Sequence, residues 1–370
     1  MIIKNKKLII TLTILPLICV SLYVFIFYVK KTNEKYIAVS STLDFENPGS
    51  TEIVTYDNNL NKLTNETINL GTGLFHIESK NKIYLFAGQS YLSINKSTGE
   101  QKKFENIIDT GVIESVNSTG DCPVLIKNIG MLTELDYDCE ICIIDDLDNP
   151  KLTSFKTQNT LAADAIKFKN KIYAITSSSG ASGSYFIEIY DENGTLIDKN
   201  KLYISNCMYK FYIYNDSLYL LSFSGECYST IINKVNDDGM LNNTDTKIFD
   251  GLFSVNPINN NIYSSTKDGT IFKINLDGNK PEEIVSIKDL LPSKNNNVNS
   301  IFNLLYFYDN TFAIRSLIEV PVADSKYNTS VVFFIPEEGE YVNCETVTNL
   351  DMDNSTKGKR IVYFGKISTK

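Results

Sequence analysis

The 370-residue sequence has no tryptophan, a single histidine (His76) and two arginines, Arg315 and Arg360, so nearly all of its basic charge is lysine. These scarcities exclude any site built on a histidine pair, a three-histidine metal cage or an arginine triad. Helical spacing of apolar residues is almost absent after residue 31, which argues against a helical body. What is present is 43% hydrophobic and 21% charged residues, enough for a large core and incompatible with wholesale disorder.

Leu8 to Val29 is an uncharged run of 22 positions, long enough to cross a hydrocarbon core of ~30 Å as a helix. Lys4, Lys6 and Lys7 precede it, Lys30, Lys31 and Lys35 follow it, and Tyr23 and Tyr28 lie toward its second end. The run is longer than the apolar core of a signal peptide and ends Phe-Ile-Phe-Tyr-Val-Lys-Lys, with no small-residue cleavage site. Cys19, preceded by Pro16-Leu17-Ile18, lacks the small neighbour of a lipoprotein processing site. The expectation is an uncleaved signal-anchor. Residues 1–7 would be a short cytoplasmic tail, 8–29 the transmembrane helix, 30–35 a linker and 36–370 an extracytoplasmic domain. Beyond residue 31 the chain has 30 basic and 44 acidic residues, a net of −14. A body of that charge repels nucleic acid, which is not an expected partner.

A repeat runs through that body. Asn81-Lys-Ile-Tyr-Leu-Phe86, Asn170-Lys-Ile-Tyr-Ala-Ile175, Asp216-Ser-Leu-Tyr-Leu-Leu221, Asn260-Asn-Ile-Tyr-Ser-Ser265 and Asp309-Asn-Thr-Phe-Ala-Ile314 each join a polar turn to a β-prone strand. With weaker copies at Lys35 and Asp121, the unit starts are 35, 81, 121, 170, 216, 260 and 309, a mean step close to 46. A strand-rich period of that size predicts a β-propeller with one four-stranded blade per unit. Seven starts predict seven blades. In the fourth unit the strands are expected at Ala163–Phe168, Ile172–Ser177, Tyr185–Tyr190 and Thr195–Leu202, with Asn193-Gly194 as a two-residue hairpin turn. The first unit begins at its second strand, so the orphan strand at residues 360–367 is expected to supply the missing inner one and close the ring. The predicted fold class is therefore all-β, a seven-bladed propeller preceded by one transmembrane helix.

Two units, Ile83 to Glu100 with its Thr-Gly-Glu hairpin and Ile262 to Gly278, resemble the repeat of quinoprotein-like (PQQ-like) propellers. The resemblance implies the fold. The tryptophans with which that family docks its repeats are missing, and its metal and ring-stacking residues are not recognisable, so no cofactor is expected.

Cys122, Cys139, Cys142, Cys207, Cys227 and Cys344 follow the anchor, an even number that permits disulfides outside the cell. Cys207 and Cys227 flank the first two strands of the fifth unit at one end, which makes them the candidate bridge. Cys139 and Cys142 have metal-like spacing, but positions three apart on a strand point to opposite faces, so no metal is expected there. Asn65, Asn95, Asn117, Asn193, Asn215, Asn242, Asn328 and Asn354 head Asn-X-Ser/Thr sequons. The Asn- and Lys-rich, Arg-poor composition suits an AT-rich bacterial genome, in which such sequons arise by chance. The Asp-rich stretches at 145–149 and 351–355 read as solvated turns. His76, on an expected inner strand, is either a channel-facing acid or base or a hydrogen-bonded structural residue.

Three long insertions, Gly130–Asp138, Ser177–Ser184 and Leu317–Thr329, fall at one end of the expected ring. Excess loop length is unnecessary for closing a hairpin, which points to recognition. Asp136, Tyr137, Ser182, Tyr185, Asp324 and Tyr327 are the candidate binding residues. The expected function is a single-pass, membrane-anchored binding or scaffold module for a protein or a cell-surface glycan. The alternative is a propeller enzyme, a lyase or hydrolase acting on glycans. A cluster of raised-pKa acids beside tyrosine along the channel would favour the enzyme.

Overall fold

A computed structural model describes residues 34–42, 50–57, 62–71, 74–79, 81–131, 137–159, 161–178, 184–202, 208–224, 229–252, 256–258, 261–266, 270–276, 280–286, 302–308, 311–319, 327–337, 340–342, 346–347 and 359–368. Every regular element among them is a strand, and all strand pairs are antiparallel. The strands form seven sheets. Sheet 1 orders Lys359–Ser368, Glu34–Thr42, Ser50–Tyr56 and Lys62–Asn69. Sheet 2 holds Leu74–Glu78, Lys82–Ala87, Ser90–Asn95 and Gln101–Phe104; sheet 3 holds Val112–Asn117, Val124–Met131, Tyr137–Ile144 and Leu152–Lys156. Sheet 4 comprises Leu161–Phe168, Lys171–Ser177, Tyr185–Tyr190 and Leu196–Lys201, and sheet 5 Met208–Tyr214, Ser217–Ser224, Ser229–Val235 and Leu241–Asp250. Sheet 6 runs Asn256–Ile258, Asn261–Ser265, Thr270–Ile274 and Glu282–Ser286. Sheet 7 begins Phe302–Tyr308, Thr311–Glu319 and Tyr327–Glu337, with two short strands on the last of these.

The second strand of each sheet carries the apolar unit seen in the sequence. Lys82–Ala87 is buried on both faces, so it reads as a continuous apolar run rather than an alternation. Leu85 faces sheet 1 and Phe86 faces sheet 3. Five apolar clusters are described, and each fills the space between two successive sheets from 1 to 6. Cys139 and Cys142 follow the same alternation, one in the cluster shared with sheet 4 and the other in that shared with sheet 2. The core of the molecule is thus a set of inter-sheet layers.

The first strands pack in succession. Lys359–Ser368 meets Leu74–Glu78, which meets Val112–Asn117, then Leu161–Phe168, then Met208–Tyr214. Asn256–Ile258 meets Phe302–Tyr308, which returns to Lys359–Ser368. Sheets 5 and 6 share the cluster of Tyr212, Phe249, Ile262 and Ile274. Sheets stacked face to face around their first strands make the chain a β-propeller. The last strand is hydrogen-bonded to the first, from Glu34 opposite Ser368 to Thr42 opposite Lys359.

Turn chemistry differs in part from the expectation. Lys169-Asn170 and Asn215-Asp216 have positive φ at both central residues, the two-residue form that suits strand twist. Asn193-Gly194 is not of this form, since only Gly194 (φ 80°) is left-handed. Asp191 Oδ1 accepts the N–H groups of Asn193 and Thr195, and Gly194 N–H donates to the Asp191 carbonyl. The aspartate caps a longer turn, and glycine is needed only at its last position.

The expected transmembrane helix, Leu8–Val29, lies outside the described residues. Among the described residues no helix is long and apolar enough to cross a membrane.

Candidate binding site at the ring axis

The inner strands bring polar groups toward the axis. Asp164, on the inner strand of sheet 4, is 2% exposed. Its Oδ2 accepts the Asn117 amide at 2.8 Å and the Phe211 backbone N–H at 2.7 Å. Asn117 belongs to sheet 3 and Phe211 to sheet 5, so one carboxylate ties three successive sheets. Asn117 is itself saturated: Nδ2 also donates to the Phe211 carbonyl, and Oδ1 accepts the Thr119 N–H and hydroxyl. The strand register breaks between Ala162 and Asp164, a bulge that takes Asp164 out of regular alternation. The inner strands of sheets 1, 3 and 7 break register too. Burial pushes the Asp164 carboxyl up from 3.8 to about 6, against the opposing pull of the Lys210 ammonium and its own hydrogen bonds.

Lys210 stands on the inner strand of sheet 5 at the level of Asp164. Asp164 pairs with Ile175 and Lys210 with Leu221, each the fifth residue of its second strand. Lys210 is exposed, and among the described residues no carboxylate lies within ion-pair distance of its ammonium. His76, half-buried on the inner strand of sheet 2, pairs with Leu85, one level away. Its ring meets Tyr363 of the closing strand edge-on at 5.3 Å. Burial, and then the Lys210 charge, lower its pKa from 6.5 to about 4, so the imidazole is neutral at pH 7. Burial and the nearby Glu78 raise the Tyr363 phenol well above its ordinary value, and Glu78 itself pairs with Lys96. The axis therefore combines an exposed cation, a neutral imidazole and a carboxyl that titrates close to neutrality. Of these three, only His76 was visible as a candidate in the sequence. Asp164 and Lys210 carry no motif; only strand register brings them to one level.

Of the expected binding residues, Asp136, Ser182 and Asp324 lie outside the described residues. Tyr137 and Tyr327 begin strands, opposite Met131 and Glu319. Tyr185 also begins a strand, but its ring is half-buried and packs on Tyr209 at 4.9 Å in the layer between sheets 4 and 5. It is an inter-sheet packing residue rather than part of an open loop. The two ends of the expected insertion Leu317–Thr329 are paired strand, Leu317 with Thr329 and Glu319 with Tyr327, and residues 320–326 lie outside the described residues. Cys207 and Cys227, the candidate bridge, lie outside the described residues. Cys122, Cys139 and Cys142 are free thiols, pushed up in pKa by burial. Among the described residues no group of three metal-ligating side chains comes together.

No protein-family model matches the chain, and no curated protein does. Solved structures resemble it at low identity. The Pyrococcus horikoshii acylaminoacyl peptidase superposes with a TM-score of 0.50 at 11% identity, covering 86% of this chain and 51% of the peptidase. This chain thus spans about half the length of that enzyme, and the likeness is one of fold. Citrobacter koseri AztD (TM-score 0.45, 7% identity, 90% of this chain and 98% of that one) also resembles it. So does the dihydro-heme d1 dehydrogenase NirN in complex with DHE (0.45, 10%, 91% and 75%).

Proposed function

We propose that the chain is a membrane-anchored, extracytoplasmic binding module, a seven-bladed propeller that holds a protein or cell-surface glycan partner. The observation that carries the reading is the charged axis, where Lys210 is exposed on an inner strand and, among the described residues, has no carboxylate within ion-pair distance. The seven sheets support the blade number, and the apolar run Leu8–Val29 supports the anchor. The enzyme alternative asks for several raised acids beside tyrosine. Among the described residues the raised acid at the axis is Asp164, and its hydrogen-bond donors are Asn117 and the backbone of Phe211 and Ala165. That arrangement serves the fold better than proton transfer to a substrate.

In-cell cross-linking of the full chain, followed by pull-down, should recover a reproducible partner or surface glycan. Recovery of nothing above a mock control would refute the binding role. Protease added to intact, wall-stripped cells should digest the propeller, whereas full protection would refute the topology.

A further inference from the structure

We propose that the ring stands over the lipid headgroup layer with the end that carries Glu34 turned to the membrane, so that the opposite end is the one a partner can reach. The proposal rests on the membrane-anchored reading of Leu8–Val29 and adds to it the orientation of the ring. A comparison of two lengths and the sheet topology carry it.

Five residue steps separate Val29, the last residue of the apolar run, from Glu34, the first of the strand Glu34–Thr42. Fully extended, they reach about 18 Å, and the headgroup layer takes up about 5–8 Å of that. The strand itself, 9 residues long, rises about 27 Å from Glu34 to Thr42. To set the Thr42 end against the lipid, Glu34 would have to stand a strand length from the headgroups, which is farther than the tether reaches. The ring is held with its Glu34 end toward the membrane.

Contacts between sheets identify the turns at each end. Strand Lys62–Asn69 runs away from the Glu34 end and leads to Gly71, where a Cβ would lie 2.8 Å from the Gly88 Cα. Gly88 lies between the second and third strands of sheet 2, and its carbonyl accepts the Ile113 N–H from the inner strand of sheet 3. The second-to-third turns and the linkers between sheets thus share the far end. The remaining turns share the Glu34 end and are cross-linked there. Lys82, which opens the second strand of sheet 2, donates to Asp148 in the third-to-fourth turn of sheet 3 at 2.5 Å. Lys169 meets Asp216 at 3.1 Å, joining the first-to-second turns of sheets 4 and 5. Asp145, Asp146 and Glu192 are exposed on these turns, so an anionic lipid surface would repel this end. The short tether, rather than affinity for lipid, sets the orientation.

The chain has no tryptophan, so a single introduced indole reports its own height above the membrane. Two variants of the full chain are compared in large phosphatidylcholine vesicles that contain a trace of dansyl-phosphatidylethanolamine. Asn149→Trp lies in the third-to-fourth turn of sheet 3 and Thr110→Trp in the linker before that sheet, both at exposed positions. Energy transfer to the dansyl headgroup should be at least about twofold stronger in Asn149→Trp, because the two indoles differ in height by about a strand length. Flotation with the vesicles reads the anchor separately. In a chain that floats, equal transfer (a ring lying on its side) or stronger transfer in Thr110→Trp overturns the orientation and leaves the anchor standing. A chain that does not float refutes the anchor, and the orientation with it. If either variant loses cooperative unfolding, Asn193→Trp replaces the first and Glu105→Trp the second under the same criterion.

Discussion

His76 and Asp164 pull the stability of the ring in opposite directions over one pH window. The Asp164 carboxyl rises from 3.8 to about 6 on folding, so the fold takes up a proton and this contribution is lost as pH climbs from about 4 through 6. His76 falls from 6.5 to about 4, so the unfolded chain holds the extra proton and stability is lost as pH drops from 6.5 toward 4. Each shift corresponds to roughly 3 kcal/mol, and between pH 4 and 6 the two cancel. Urea midpoints of His76→Gln should therefore fall as pH rises from 4 to 6, those of Asp164→Asn should rise, and the wild type should lie between them. Parallel curves for all three proteins would refute the assignment. The exposed carboxylates whose pKa values are lowered, such as Asp109 and Asp191, are common to all three and drop out of the comparison. Asn117 tests the same knot by another route. Asn117→Ala removes donors from Asp164 and from the Phe211 carbonyl in a buried setting, so a loss of about 2–4 kcal/mol is expected in chemical denaturation. An Asn117→Ala loss below 0.5 kcal/mol would show the knot to be dispensable. The buried amide also leaves Asn117 inaccessible as a sequon acceptor in the folded chain.

At the level of elements, strands were legible and their ends less so. In sheet 4 the expected strand Tyr185–Tyr190 is the observed one, and Ile172–Ser177 differs by a residue, because turn residues bracket β-branched and aromatic runs. The inner strand starts at Leu161 rather than Ala163, because the bulge at Ala163 interrupts a pairing that sequence alternation cannot register. The Asn193-Gly194 expectation failed on geometry: Asp191 takes over the turn by accepting two backbone N–H groups, a contact with no signature in the dipeptide. The same limit explains the axis. His76 stands out by being unique, whereas Asp164 and Lys210 are single members of abundant residue types. Gly194 offers a test at this scale. A Cβ there would lie 2.4 Å from the Phe155 ring, in a backbone conformation with φ of 80°. Gly194→Ala should cost more than about 1 kcal/mol, whereas Gly99→Ala, with positive φ but open space around it, should cost only the backbone strain of about 1 kcal/mol. Equal losses in thermal unfolding would remove the Phe155 contact from the account.

For the molecule as a whole, the question is what holds the first sheet to the last. Sheet 1 takes its inner strand from Lys359–Ser368, and that strand also packs on the inner strands of sheets 2 and 7. Tyr363 and Ile367 are buried in the layer between sheets 1 and 2, and the Tyr363 ring meets His76. A chain ending at residue 355 would leave Glu34–Thr42 with an unpaired edge and open one side of two neighbouring sheets. Each such sheet depends on its neighbours for a core, so the damage should spread beyond sheet 1. The expected result is aggregation or loss of a single cooperative transition. In the soluble fraction, the His76 imidazole NMR signal should move toward the position of an unfolded imidazole. Adding a synthetic peptide of residues 356–370 should restore the native His76 signal if closure is the cause, because the strand contributes its contacts whether or not it is covalently attached. An unchanged melting temperature in the truncated chain would show that the ring is held without its last strand. Failure of the peptide to restore the signal in a soluble, folded truncation would show that the strand acts through some means other than pairing with Glu34–Thr42.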